Sequence, residues 1–367
     1  MHVPDGFINA PVSVAAGVVA AGAVAVSLRG ARRELDERTA PLAGLMAAFI
    51  FAVQMLNFPV AVGTSGHLLG GALAAILVGP YTAVLCVSVV LLMQGVLFAD
   101  GGLTALGVNI TDMGVVTTVV AYVVFRLLMR VLPRRRSTLT VASFVAALVS
   151  VPAAATAFTL IYWIGGTTDI PIGDVFKAMV GVHVLIGIGE AVITAATVGA
   201  VIAVRPDLVH GAKGFATPLK LRVDGKLIDA PPAASGPAAK PTKTVGVAHR
   251  STRGLLAAGL LTALVLAGFV SYYASASPDG LEKVATDQGI DRNVKEHASA
   301  DSPLAGYGVK DVDDARLSGG LAGVIGVGVT VVVGGTVFWV LRRRRGDGAD
   351  VTAGGSADAT GPLAEKV

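Results

Sequence analysis

Long apolar runs separated by short polar or glycine-rich joints set the pattern of this chain. Nine candidate helices can be marked, at roughly 8–28, 41–60, 67–79, 82–99, 111–132, 138–163, 174–204, 254–273 and 319–341. Most approach the ~20 residues that a helix needs to cross the hydrocarbon core of a bilayer. The run at 67–79 is too short to cross as a straight helix. Gly70-Gly71 and Gly79-Pro80 interrupt this region, so the third and fourth helices are expected to pack as a tight pair. The pattern predicts an all-α polytopic membrane protein, with a seven-helix bundle over 1–205 and a two-helix hairpin over 254–345. An extracytoplasmic loop joins the last two helices.

Between these blocks the character changes. Residues 206–253 interleave Lys213, Lys220, Arg222, Lys226, Lys240, Lys243 and Arg250 with Pro231-Pro232, Ala, Ser and Gly, the composition of a flexible basic linker on the cytoplasmic side. The loop at 274–318 is acidic, with Asp279, Glu282, Asp287 and Asp291 among its carboxylates. The tail at 346–367, rich in Gly, Ala and Asp, is expected to be a disordered cytoplasmic segment.

Composition agrees with a membrane protein and excludes a soluble domain: 53% of residues are hydrophobic, 15% are charged, and the mean hydropathy is +0.71. Small residues dominate the apolar runs, which favours close helix packing where lipid supplies no hydrophobic drive. Ala16 with Ala20, and Gly17 with Ala21, are small pairs on the first helix that suit docking of a partner helix. The net charge of +4 does not point to nucleic acid, because the basic residues cluster at helix ends. Arg29, Arg32, Arg33 and Arg38 follow the first helix, Arg134-Arg135-Arg136 the fifth and Arg342 to Arg345 the last, whereas the alternate joints carry no Lys or Arg. By the positive-inside rule the N-terminus lies outside and the C-terminus inside a bacterial-type cell membrane. Cys86, the single cysteine, excludes an intrachain disulfide.

The first residues, Met1-His2-Val3-Pro4-Asp5-Gly6-Phe7, carry no basic residue of the kind that opens a secretory signal. Methionine aminopeptidases favour a small second residue, so Met1 is expected to be retained ahead of His2. The α-amine, the His2 peptide nitrogen and the His2 imidazole can then close a five- and a six-membered chelate ring on one cation. Such a nearly planar nitrogen set suits Ni(II), Cu(II) or Co(II) and not Mg(II) or Ca(II). The plain alternative is an ordinary surface histidine. His67, on the same outer face behind the loop Gly63-Thr64-Ser65-Gly66, is either a helix-start residue or the fourth nitrogen of that plane. Asp5 and Asn57 are natural orienting partners, since a metal-bound imidazole donates its other N–H to an oxygen.

Polar groups inside membrane helices are costly and mark function or interhelical bonding. His183 and Glu190, seven residues apart, share one helix face, with His183 about 13 Å below the predicted outer end. They form an inward relay for an ion or a packing contact. The outer segment 98–109, from Phe98 through Asp100-Gly101-Gly102 to Asn109, is a turn or a cover for the site. His210, His249 and His297 read as solvated. No GxxxxGK[ST] and no HExxH occurs, so the chain itself carries no P-loop ATPase and no zinc-protease motif.

Four stretches together resemble a known family: MHVPDGF at 1–7, QMLNFPVAVGTSGHLLGGALAAILVGP at 54–80, LFADGGLTALGVN at 97–109 and HVLIGIGE at 183–190. They are similar to the CbiM/NikM family, the substrate-capturing membrane subunits of energy-coupling-factor cobalt and nickel importers. Residues 254–341 resemble the small PDGLE/N-type companion subunit through Pro278-Asp279-Gly280-Leu281-Glu282. The resemblance implies that Met1, His2 and His67 hold Ni(II) or Co(II), which is a transported substrate and not a cofactor. It also implies separate partners, a transmembrane coupling subunit and paired cytoplasmic ATPases. Two rivals from other classes are a metal-dependent membrane enzyme using His183 and Glu190, and a passive channel or structural subunit.

Overall fold

The computed structural model describes residues 1–61, 63–133, 135–213, 220–223, 226–229 and 252–353. Among the described residues, seven helices are long and apolar enough to cross a membrane. They are α1 (Ala10–Glu34), α4 (Pro80–Leu97), a composite over Leu106–Val131, α7 (Arg136–Gly165), α8 (Ile172–Val204), α9 (Arg253–Gly268, extended by a turn to Tyr273) and the Ala315–Arg343 part of α11 (Ala315–Ala353). The composite is α5 (Leu106–Asn109), a π-helical segment (Ile110–Val116) and α6 (Thr117–Val131).

The two remaining apolar runs form the interior. α2 (Thr39–Gln54) has 16 residues, 13 of them buried, and α3 (Gly71–Val78) is buried throughout. Between them the chain turns through a small antiparallel hairpin, β1 (Phe58–Ala61) with β2 (Thr64–Gly66). Buried carboxylates from neighbouring helices satisfy the amides at the starts of α3 and α4. Glu190 accepts from Leu69 N at 2.7 Å and Gly70 N at 3.1 Å, and Glu34 accepts from Thr82 N at 2.7 Å and Tyr81 N at 3.2 Å. An anion at a helix N-terminus meets both the unpaired N–H groups and the positive end of the dipole. Helix α3 can therefore begin abruptly at Gly71, after Gly70 at φ +90°.

This start corrects one expectation. His67 does not open the third helix; it lies in the extended link between β2 and α3. The α1 surface is also used inside the chain. Ala16 and Ala20 are buried, and Thr111 Oγ1 donates to the Ala16 carbonyl at 3.4 Å, so this face packs on the composite helix.

The C-terminal hairpin is not a separate body. α11 lies along α2, where a Cβ added to Gly44 would come 2.9 Å from Gly335 Cα, and small residues permit that approach. The segment 274–314 passes over the end of the bundle that holds the N-terminus and contains α10 (Gly280–Gln288). Of the expected linker, 206–213 forms two short turns with Leu208 and Val209 buried, and Lys220–Val223 pairs with Lys226–Asp229; the rest lies outside the described residues. Residues 346–353, expected in the tail, continue α11, and 354–367 lie outside the described residues.

Candidate metal site

The N-terminal segment is threaded into one end of the bundle. Met1 is 2% exposed and Val3 is fully buried. Asn109 grips Val3 on both sides: its Oδ1 accepts from Val3 N at 2.8 Å, and its Nδ2 donates to Val3 O at 3.1 Å. Gly102 N donates to the same carbonyl at 2.9 Å. Further along, Asp5 accepts from Thr104 N at 2.8 Å, Gly6 takes φ +94°, and Thr167 Oγ1 donates to Gly6 O at 2.7 Å. Asn9 then caps α1 through Val12 N, with a proline in the first turn. These contacts fix the opening segment and present the α-amine and His2 to the interior.

The Met1 amine lies 2.6 Å from His67 Nε2, and the two imidazoles stack with ring centroids 5.0 Å apart. His67 Nδ1 faces its neighbour's carbonyl, Leu68 O, at 3.0 Å. That bond selects the tautomer whose Nε2 lone pair points at the amine. His2 Nε2 donates to Gln94 Oε1 at 3.0 Å, which leaves the Nδ1 lone pair free. Nδ1 is the nitrogen that a six-membered chelate with the His2 peptide nitrogen needs. Burial lowers the His2 pKa to about 4, outweighing the attraction of Asp100 at 3.4 Å, so the ring is neutral and able to ligate.

Cis donors about 2.0 Å from one ion stand about 2.8 Å apart, and trans donors about 4 Å apart. The observed 2.6 Å between amine and His67 matches the cis separation to within a few tenths of an ångström. Among the described residues, His2, His67 and Asp279 each offer a ligand atom within 4.8 Å of the other two. The donor types are those a late first-row cation takes, and the amine and His67 already stand at cis spacing.

Neither expected orienting residue touches the rings. Asp5 is committed to Thr104, and Asn57 lines the adjoining cavity of about 530 Å³ while its carbonyl accepts from Ser275 N at 2.7 Å. Gln94 Oε1 and the Leu68 carbonyl take that place, while Asp100 Oδ1 lies 3.4 Å from His2 Nδ1, the nitrogen proposed to ligate. Asp100 is in turn held by Tyr307, whose hydroxyl donates to Oδ2 at 2.6 Å. His183 and Glu190 lie apart from this cluster in their bonding: His183 Nδ1 faces Met179 O at 2.6 Å, and Glu190 caps α3.

The segment 98–109 covers the site, and the C-terminal loop covers it in turn. Ser65 N donates to Pro278 O at 2.9 Å, Lys295 N to Asp5 O at 2.9 Å, Ser302 Oγ to Leu97 O at 2.6 Å, and His297 faces Gly101 O at 3.2 Å. His297 is thus a contact residue and not a solvated one. Asp279 was recognisable in sequence only as part of a motif. Its Oδ1 caps α10 by accepting from Glu282 N at 2.8 Å, while Oδ2 lies 2.5 Å from the Met1 amine and 3.4 Å from His67 Nε2. Burial opposes ionisation of Asp279, but the facing ammonium and His67 hold its carboxyl well below the usual range.

Two family models match the chain: the cobalt uptake substrate-specific transmembrane region, CbiM, over residues 2–208, and the PDGLE domain over 253–343. The cobalt transport protein CbiM of Sorangium cellulosum is 35% identical over 192 residues, covering 51% of this chain and 84% of that protein. The fused nickel transport protein NikMN of Rhodobacter capsulatus is 44% identical over 130 residues, 35% of this chain and 37% of that protein. A crystal structure described as a transition metal transporter aligns with a TM-score of 0.51 at 27% identity, covering 56% of this chain and 93% of that one.

Proposed function

Because the chain belongs to the CbiM family of cobalt uptake transmembrane regions, joined here to a PDGLE domain, we propose that it is the ion-capturing membrane subunit of an ATP-driven energy-coupling-factor importer for cobalt or nickel. It is a multi-pass membrane transport protein and not an enzyme. The observation that carries the finer reading is the Met1 amine, held 2.6 Å from His67 Nε2 above a neutral His2. The amine, the His2 peptide nitrogen, His2 Nδ1 and His67 Nε2 are the proposed ligands. The arginine clusters favour an orientation in which this end faces outward. The ion is the transported substrate. A separate transmembrane coupling subunit and cytoplasmic ATPases supply the energy, in keeping with a sequence that contains no P-loop.

The same donors accept Ni(II) and Co(II), and Cu(II) at least as well by the Irving–Williams order, so selection between them falls to cavity shape and ion supply. The reading requires Met1 to be the start of the working protein. Intact-mass analysis of purified protein should find an unmodified Met1. Adding two residues ahead of Met1 should abolish tight 1:1 Ni(II) or Co(II) binding while leaving the thermal midpoint of the metal-free protein near wild type. Undiminished affinity in the extended protein refutes the ligand assignment.

A further inference from the structure

The PDGLE sequence has a local explanation that does not use the whole of its aspartate. Asp279 is the N-cap of α10, and Glu282 closes a capping box onto its backbone N–H. A Cβ added to Gly280 would meet Ile186 Cδ1 at 2.7 Å and His183 Cε1 at 3.2 Å, so glycine lets this corner seat on α8. Leu281 is buried, and Pro278 O accepts from Ser65. The cap occupies one oxygen of Asp279. Its other oxygen, Oδ2, is aimed at the candidate ligands from a side chain that is 15% exposed.

We propose that Asp279 Oδ2 is a fifth ligand to the captured ion, so that the metal site is completed by the C-terminal domain. This rests on the ligand reading above. An apical oxygen over a plane of nitrogens lies about 3 Å from each of its in-plane neighbours, given metal–ligand distances near 2.1 Å. Oδ2 stands 2.5 Å from the amine and 3.4 Å from His67 Nε2, on either side of that value. The carboxylate also loses its present partner when an ion arrives, because a metal-bound amine is no longer an ammonium. A largely buried carboxylate without a counter-charge is costly, and binding the dication removes that cost. Asp100, the other carboxylate beside His2, is differently placed: its Oδ1 lies 3.4 Å from His2 Nδ1 alone, whereas among the described residues it is Asp279 that comes within reach of both histidines.

Five-coordination distinguishes this site from a flat four-nitrogen one, and the difference is spectroscopic. The experiment uses the full chain in detergent, loaded with one equivalent of Ni(II), and the nickel K-edge absorption spectrum. A square-planar ion gives a strong 1s→4pz edge feature, which an apical ligand suppresses. The wild-type protein should show it weakly. D279S retains a good N-cap residue but withdraws the oxygen from reach, so the feature should become strong and the Ni(II) dissociation constant should rise by at least tenfold. D279N, which keeps both the cap and the reach with a neutral oxygen, should fall between the two. A strong planar feature in wild type, or identical spectra for wild type and D279S, overturns the fifth ligand while leaving the capture reading intact if binding stays tight and 1:1. Failure of wild-type protein to bind Ni(II) tightly overturns both.

Discussion

Asn109→Ala tests whether the site depends on how firmly the N-terminal arm is held. Its side-chain amide makes two hydrogen bonds to the backbone of Val3, two residues from the amine, and both partners are buried. Removing it leaves Val3 N–H without an acceptor, at about 1–3 kcal/mol, and takes away one of two donors to Val3 O, at about 1 kcal/mol. Gly102 N still serves that carbonyl. The arm therefore loses about 2–4 kcal/mol of docking energy. If only the docked arm binds metal, the apparent affinity falls with the docked fraction, to a ceiling of about 30- to 700-fold. Asn109→Asp keeps the acceptor for Val3 N–H but buries an unpaired carboxylate with an oxygen facing Val3 O, so it should weaken binding no less than N109A. The assay is Ni(II) competition against a chromophoric chelator with full-length protein in detergent, alongside thermal unfolding to confirm an intact bundle. An N109A affinity within twofold of wild type would refute the claim that this clamp holds the ligands in place.

Two further outcomes follow from other contacts. Glu190→Ala strips the acceptor from Leu69 N and Gly70 N at the start of a buried helix, at about 1–3 kcal/mol for each, whereas Glu190→Gln retains one acceptor. Thermal midpoints should fall in the order wild type, E190Q, E190A; an E190Q protein as stable as wild type but unable to support uptake would make this residue part of an ion path and not a cap. Acid should weaken the metal-free protein through His2. Its folded pKa of about 4 lies below the ordinary 6.5, so the unfolded chain binds the extra proton, and stability present above about pH 6.5 is lost as pH falls towards 4. The loss is about 3 kcal/mol. Asp279, also held low, adds to the loss below the ordinary carboxylate range. A thermal midpoint that does not change between pH 7 and 4.5, or a slope unaltered by His2→Gln, would contradict this.

Much of the fold could be read from hydropathy because lipid leaves a helix few alternatives: every backbone group must be satisfied within the segment. The pattern failed where another part of the chain satisfied those groups. The apolar periodicity that suggested a helix from residue 67 is real, but Glu190, more than a hundred positions away, caps α3 at Gly70, and His67 is left in extended backbone. Likewise, the small residues on α1 announced a close contact without saying with what, and the partner is the composite helix of the same chain. Composition shifts also separated the two-helix block from the bundle but could not show that α11 lies against α2 through facing glycines.

The site divides in the same way. Met1 and His2 were recognisable because their donors are adjacent along the chain, and chelate ring size is a property of sequence alone. Gln94, which orients His2, carried no signal beyond being polar near the end of an apolar run. Asp279 was concealed for a more specific reason. A Pro-Asp-Gly-Leu-Glu sequence is fully accounted for by helix initiation: aspartate as cap, glutamate three residues on to close the box, glycine for close packing. A carboxylate has two oxygens, however, and a cap occupies only one. Once Oδ1 is committed to Glu282 N, the rigid geometry of the cap fixes where Oδ2 points, and here it points at an amine 278 residues away in sequence. The capping box thus positions Asp279 for the metal site, and loosening the start of α10 should weaken the site even with every nitrogen ligand in place.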